Sequence, residues 1–158
     1  MKILGIDPGY DRCGVAVVER VGNSKERVVD SGCITTSSSD PFEERLLKVV
    51  GGVNDWISIH NPNICALERL YFTKNQKTAM RVAETRGAIL AAVAGCGVAV
   101  QEFGPGEIKV AVTGSGRASK DQVIRMVSLI LDMHKDGALD DEYDAIAVAL
   151  TALAVHRA

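Results

Sequence analysis

At 158 residues, 47% hydrophobic and 24% charged, the chain is long enough to bury one sizeable core and has the balance of a globular domain. It holds no apolar run of about 18 residues and opens on no basic segment with an apolar stretch behind it, so neither a membrane span nor a secretion signal is expected and a cytoplasmic location is. The net charge of −2 argues against nucleic-acid binding through bulk charge, and the spacing of Cys13, Cys33, Cys65 and Cys96 excludes a zinc site or a disulfide framework, which predicts reduced, mostly buried thiols.

The first predicted element is a strand over residues 2–7, ending on Asp7 and turned by Pro8-Gly9. CGVAVVER, residues 13–20, is the second strand, paired with the first through a hairpin at Gly9-Tyr10-Asp11, and residues 27–36 are the third. Asp40-Pro41 predicts a helix start, with Asp40 as N-cap, Pro41 at the first helical position and Glu43 completing a capping box. Leu46, Leu47, Val50, Val53 and Ile57 carry that helix to about Ile59, and Asn61-Pro62 stops it. NICALE, residues 63–68, is a continuous apolar run of the kind a sheet covers on both faces, again with a carboxylate at its end. A long helix over residues 75–94 follows and stops at Gly95. GVAVQEF, 97–103, is the fifth strand and 105–113 a short helix. Ser119 with Gln122 forms a capping box for a helix to about Met133, and Asp140 or Asp141 starts the final helix through DAIAVALTALAVH. This order predicts one α/β domain over 1–158, a mixed sheet with helices on both faces.

Chemistry is sought in the carboxylates. Asp7 and Glu68 each end a buried strand, so parallel neighbours would bring both to one edge of the sheet, where ligand sites of open α/β sheets lie. Asp141 and Asp144 share a helix face. Acids so gathered repel unless cations intervene, and oxygen-only ligands select hard ions such as Mg²⁺ or Mn²⁺. Two ions about 4 Å apart would clamp the attacking and leaving oxygens of a phosphoryl transfer. Taken singly, each acid has a plainer role: Asp141 as a cap, Asp144 as a second-turn acid, Glu68 as partner of a buried Arg, Asp7 as a turn residue. Their recurrence at strand ends favours the joint reading. Residues 69–86 carry Arg69, Lys74, Lys77, Arg81 and Arg86 against one acid, Glu84. Tyr71 and Phe72, beside Lys74 and Asn75, suit stacking on bases, the plainer alternative being core packing. TGSGRASK, 113–120, lacks the Gly-Lys-Ser/Thr ending of a phosphate loop and reads as a turn before the Ser119 cap.

GIDPG (5–9), LERLYFTKN (67–75), ETRGA (84–88), FGPGEIKVAVTGSGRASKDQV (103–123) and DEYDAIAVALTAL (141–153) together resemble the RuvC family of bacterial Holliday junction resolvases, in order and over nearly the whole chain. The resemblance implies an RNase H-like fold, a five-stranded mixed sheet flanked by helices. It implies a metal-dependent endonuclease of homologous recombination and DNA repair. Such an enzyme nicks two opposite strands of a four-way DNA junction and leaves 5′-phosphate and 3′-hydroxyl ends. It implies a homodimer, with Mg²⁺ (or Mn²⁺) as two ions per site held by Asp7, Glu68, Asp141 and Asp144. Lys120 and Lys109 fall at the family's basic positions near the phosphate, Lys120 to offset transition-state charge. Tyr71 or Phe72 falls at its aromatic position near the junction centre. Lys74, Asn75, Lys77, Arg81 and Arg117 are taken as further DNA contacts. Whether a branch-migration motor complex is a partner stays open at this stage. YDRCGVAVVER after GIDPG is also similar to the YqgF-type nucleases of ribosomal RNA precursors, an alternative that Glu68-Arg69 and the 103–123 segment oppose.

Overall fold

The computed structural model of the chain describes residues 1–22, 25–69, 76–133 and 139–156. Its strands are β1 (Lys2–Asp7), β2 (Arg12–Glu19), β3 (Arg27–Thr35), β4 (Ile64–Glu68) and β5 (Ala99–Phe103). Its helices are α1 (Phe42–His60), α2 (Gln76–Gly95), α3 (Pro105–Thr113), α4 (Lys120–Leu131) and α5 (Asp140–Val155). The strands form one sheet in the order β3-β2-β1-β4-β5. β1, β2 and β3 pair antiparallel as a meander, while β4 and β5 join in parallel beside β1 through helical crossovers. This is the expected mixed five-stranded α/β architecture.

Both faces of the sheet are covered, which is why β1 and β4 read as continuous apolar runs rather than alternating ones. Leu4, Ile6, Val15, Val17 and Leu67 pack under Val49, Val53 and Ile57 of α1 and Ile89 and Val93 of α2. Ile3, Ala16, Val18, Ile64 and Ala66 face α5, with Ile108 and Val112 of α3 and Val123 and Val127 of α4 closing the layer. α5 is apolar on nearly every side and is buried from Tyr143 to Leu153 apart from Asp144. It reaches the sheet closely because the residues beneath it are small. Gly5 pairs with Ala16 on one side and Ala66 on the other, and a Cβ on Gly5 would stand 2.1 Å from the Ala145 carbonyl oxygen. Gly14 does the same one turn earlier, where a Cβ would stand 1.9 Å from the carbonyl oxygen of Asp141.

Most element boundaries lie within two residues of expectation, and the hairpin, the Asn61 stop and the Ser119 capping box are present. The start of α1 differs. Pro41, not Asp40, occupies the cap position, no side chain caps the helix, and the Asp40–Glu43 box does not form. The Pro41 carbonyl instead accepts from the Glu44 and Arg45 amides, and proline's fixed φ suits that half-in position. Asp40 belongs to the preceding turn, its amide bonded to Ser37. All four cysteines are free, but only Cys13 and Cys65 are buried; Cys33 is half-buried and Cys96 exposed. Among the described residues no helix is long and apolar enough to cross a membrane.

Candidate active site

The parallel pairing of β1 with β4 sets Ile6 against Leu67, so Asp7 and Glu68 come next on the two strands, on the face that carries Gly5 and Ala66. That face looks towards α5. Asp7 itself pairs with Gly14 across the hairpin, and Gly14 is where the first turn of α5 rests. The missing side chain at Gly14 therefore brings Asp141 to the strand end where Asp7 stands, and Asp144 follows on the same helix face. The four acids meet because two strand ends and one helix start meet.

Their electrostatics show the crowding. Asp7 has its pKa pushed up to about 7, first by burial and then by the charges of Asp144, Glu68 and Asp141. Glu68 and Asp144 are also raised, burial being the largest cause for each. Burial disfavours the ionised form, and like charges add to the penalty. Two lysines oppose it. Lys120 Nζ donates to Asp144 Oδ2 at 3.0 Å and lies 3.4 Å from Asp140 Oδ2. Lys109 lowers the proton affinity of Glu68. Both line a cleft of about 250 Å³ with Glu68 and Asp144, backed by Ile108 and Val123.

Local capping aims those lysines. Ser119 Oγ accepts from the Gln122 amide at 3.3 Å and Gln122 Oε1 accepts from the Ser119 amide at 2.8 Å, which makes Lys120 the first residue of α4. Glu107 Oε2 likewise accepts from the Gly104 amide at 2.6 Å, seating α3 so that Lys109 faces the cleft.

Three arginines without an expected site role border the acids, two of them fixing the backbone beside Asp7 and Glu68. Arg12 Nε lies 2.7 Å from Asp141 Oδ2, yet that buried oxygen receives no hydrogen bond, so the contact is an ion pair without a directed N–H. Arg45, itself buried, donates to Thr36 Oγ1 at 2.9 Å and to the Tyr10 carbonyl at 3.3 Å and pairs with Asp11, fixing the turn that follows Asp7. Arg86 of α2 donates to the Glu68 carbonyl at 3.4 Å and pairs with Glu102, tying down the end of β4. Only Arg86 carried a sequence signal, through the ETRGA motif; the partners of the other two are set by tertiary contact.

The remaining expected contacts divide. Arg117 is exposed on the loop between α3 and α4. Arg81, half-exposed on α2, has its guanidinium over Phe42 at 3.8 Å from the ring centre and 3.6 Å from Glu84. Tyr71, Phe72, Lys74 and Asn75 lie outside the described residues, as does the side chain of Lys77. The donor set suits a hard divalent cation: four carboxylates, three with raised proton affinity and the fourth, Asp141, with an oxygen that receives no hydrogen bond, and no sulfur or imidazole among them. Among the described residues no three His, Cys, Asp or Glu side chains stand close enough to hold an ion as they are placed here.

The family model described as "Crossover junction endodeoxyribonuclease RuvC" matches residues 3–152. The RuvC of Petrotoga mobilis is 43% identical over 149 residues, 94% of this chain and 91% of that protein. The RuvC of Brachyspira hyodysenteriae is 41% identical over 150 residues, 95% and 92% of the two. Among solved structures, T. thermophilus RuvC in complex with Holliday junction substrate superposes with a TM-score of 0.92 at 32% identity, covering 99% of this chain and 95% of that one. A buried carboxylate cluster on an RNase H-like sheet, matched over nearly all its length by these proteins, means that the chain belongs to the RuvC family of crossover junction endodeoxyribonucleases.

Proposed function

We propose that the protein is a Holliday junction resolvase, an endonuclease that cuts two opposite strands of a four-way DNA junction. The observation that carries this reading is the meeting of Asp7, Glu68 and Asp144 at one sheet edge, short of counter-charge, beside a cleft whose cations are Lys109 and Lys120. Such a site repels a phosphodiester unless divalent cations sit between acids and substrate.

Asp7, Glu68, Asp141 and Asp144 would hold the cations, Mg²⁺ or Mn²⁺, as two ions per site. When bound, such ions supply a water acidic enough to attack phosphorus and positive charge for the leaving oxygen. The protein's own groups do the rest. Asp7, with a pKa of about 7, must lose its proton before it can serve as a ligand, and its acidic neighbours resist that loss. Lys120 and Lys109 face the cleft from two helices and neutralise charge that grows on the phosphoryl oxygens. Ile108 and Val123 form an apolar wall that strengthens those interactions. Water oxygen bonds to phosphorus, the bond from phosphorus to the 3′ oxygen breaks, and that oxygen takes up a proton. The ends are a 5′-phosphate and a 3′-hydroxyl, which a ligase can join.

Cutting two strands symmetrically calls for two sites related by a two-fold axis, hence a homodimer. The outer side of α2 supports one, exposing Ala83, Gly87, Ala91 and Ala94 opposite buried Thr85, Ile89 and Val93. Incubation of the protein with Mg²⁺ or Mn²⁺ and a synthetic four-way junction, a linear duplex or a structured RNA tests the reading. Paired nicks confined to opposite strands of the junction are expected. Cutting of the RNA alone would move the assignment to the YqgF-type group.

A further inference from the structure

We infer that Arg12 is a competing cation: its guanidinium opposes the uptake of a metal ion by Asp141, and it thereby sets metal affinity on the Asp141 side of the site. The inference rests on the metal-dependent reading above. Asp141 cannot escape the contact by moving its backbone, because its carbonyl oxygen is wedged against Gly14, two residues along β2 from Arg12. The carboxylate and the guanidinium are therefore presented to each other by one strand and the helix start pressed onto it. Any cation that claims Asp141 displaces Arg12, or shares the carboxylate with it at the cost of two adjacent positive charges.

The contact is built to be broken. Arg12 Nε stands 2.7 Å from Asp141 Oδ2 without directing its N–H there, so the pair lacks the hydrogen bond that strengthens a charged contact. The Arg12 side chain is 52% exposed against 21% for Asp141, so it can swing into solvent while the carboxylate stays. Lys120 differs on each point. It is hydrogen-bonded to Asp144 and lines the cleft with it, in a position to meet a phosphate; Arg12 does not line that cleft. The two cations thus have separate duties, Lys120 towards substrate and Arg12 towards the vacancy it fills beside Asp141. An arginine keeps its charge at any working pH, so this competition does not fade as the solution becomes alkaline.

Exposed ion pairs are weak, which bounds the effect at about two- to fivefold in affinity. The test is Mn²⁺ binding to the whole protein without DNA, read by the loss of the free-ion electron paramagnetic resonance signal. Arg12→Ala and Arg12→Gln are both expected to bind Mn²⁺ about two- to fivefold more tightly than wild type, since only the charge matters. In an Asp141→Asn background the same changes are expected to do nothing. If Arg12 instead served as a clamp that positions Asp141, both substitutions would weaken binding, and that result, or no change, overturns the inference. Tightening that persists without the Asp141 charge also overturns it. Asp7→Asn keeps the two readings apart: it should lose at least about tenfold in Mn²⁺ affinity whatever Arg12 does. Wild-type affinity there would overturn the metal site and this inference with it.

Discussion

The two ends of β1 make opposite use of charge. At its start nearly every polar group is matched. The N-terminal amine donates to the Arg20 carbonyl at 2.7 Å, Lys2 and Asn63 exchange main-chain and side-chain bonds, and Lys2 Nζ reaches the His60 carbonyl at 2.9 Å. Arg20 pairs with Glu26 at 3.3 Å, with both side chains nearly out of solvent, and also donates to the His156 carbonyl. At the other end Asp7 meets three acids, and the cations within reach do not offset its burial. One strand thus joins an end organised for stability to an end that stores electrostatic strain, and the sheet between them lets the first support the second. An acid in a good ion pair costs the fold little, whereas an acid kept short of counter-charge remains available to a cation from solution.

Substitutions at the two ends should therefore separate activity from stability. The largest effect is expected from Asp7→Asn, which should cut junction cleavage by about a thousandfold or more, since ion-borne stabilisation of the transition state is worth several kcal/mol. Retention of junction binding in a mobility-shift assay would confine the loss to chemistry, and wild-type cleavage would refute the role of Asp7. The same variant should be more stable than wild type in chelator. A folded-state pKa of about 7 against an ordinary 3.8 means that the folded protein binds the extra proton between those values, so wild-type stability falls as pH rises through that window. Urea unfolding should show the advantage of Asp7→Asn growing from about pH 4 to pH 7 and level above, on the order of a few kcal/mol at about 1.4 kcal/mol per pKa unit. A pH-independent difference would mean that Asp7 is not protonated in the fold.

At the paired end the pattern should invert. Arg20→Met breaks the nearly buried ion pair with Glu26 and should cost about 3 kcal/mol in urea unfolding, with cleavage per folded molecule unchanged. A matching fall in specific activity would show that the two ends are coupled more tightly than the sheet implies. The smallest change is Ser119→Ala, which removes the α4 cap and should cost about 1 kcal/mol. Because that cap places Lys120, cleavage should also drop a few-fold at saturating DNA; loss of stability without loss of rate would separate Lys120 from its cap.

How far the sequence foretold this depends on the range of each determinant. Asp7 and Glu68 were legible because strand periodicity and parallel pairing are enough to put two strand-ending carboxylates on one edge. The Ser119–Gln122 box was legible because all its partners lie within four residues. Asp40 was misjudged within an equally short span, since two cap formers, Asp and Pro, competed at adjacent positions and the fixed φ of proline prevailed. Nothing along the chain marks what Gly5 and Gly14 do; only the docking of α5 shows that an absent side chain is what each contributes. Arg12 and Arg45 find partners on other elements, so no local pattern announces them, whereas Arg86 is marked only by the ETRGA motif.

The wedging of α5 against Gly5 and Gly14 also governs when the enzyme comes into being. Asp7 belongs to β1 and Asp144 to α5, so the site joins elements far apart along the chain, β1 being made well before α5. During translation, at roughly 5–20 residues per second, the early strands wait many seconds for the helix that completes their upper face. A nascent chain that has not yet formed α5 therefore has Asp7 and Glu68 but not the acid cluster, which comes together only as α5 docks.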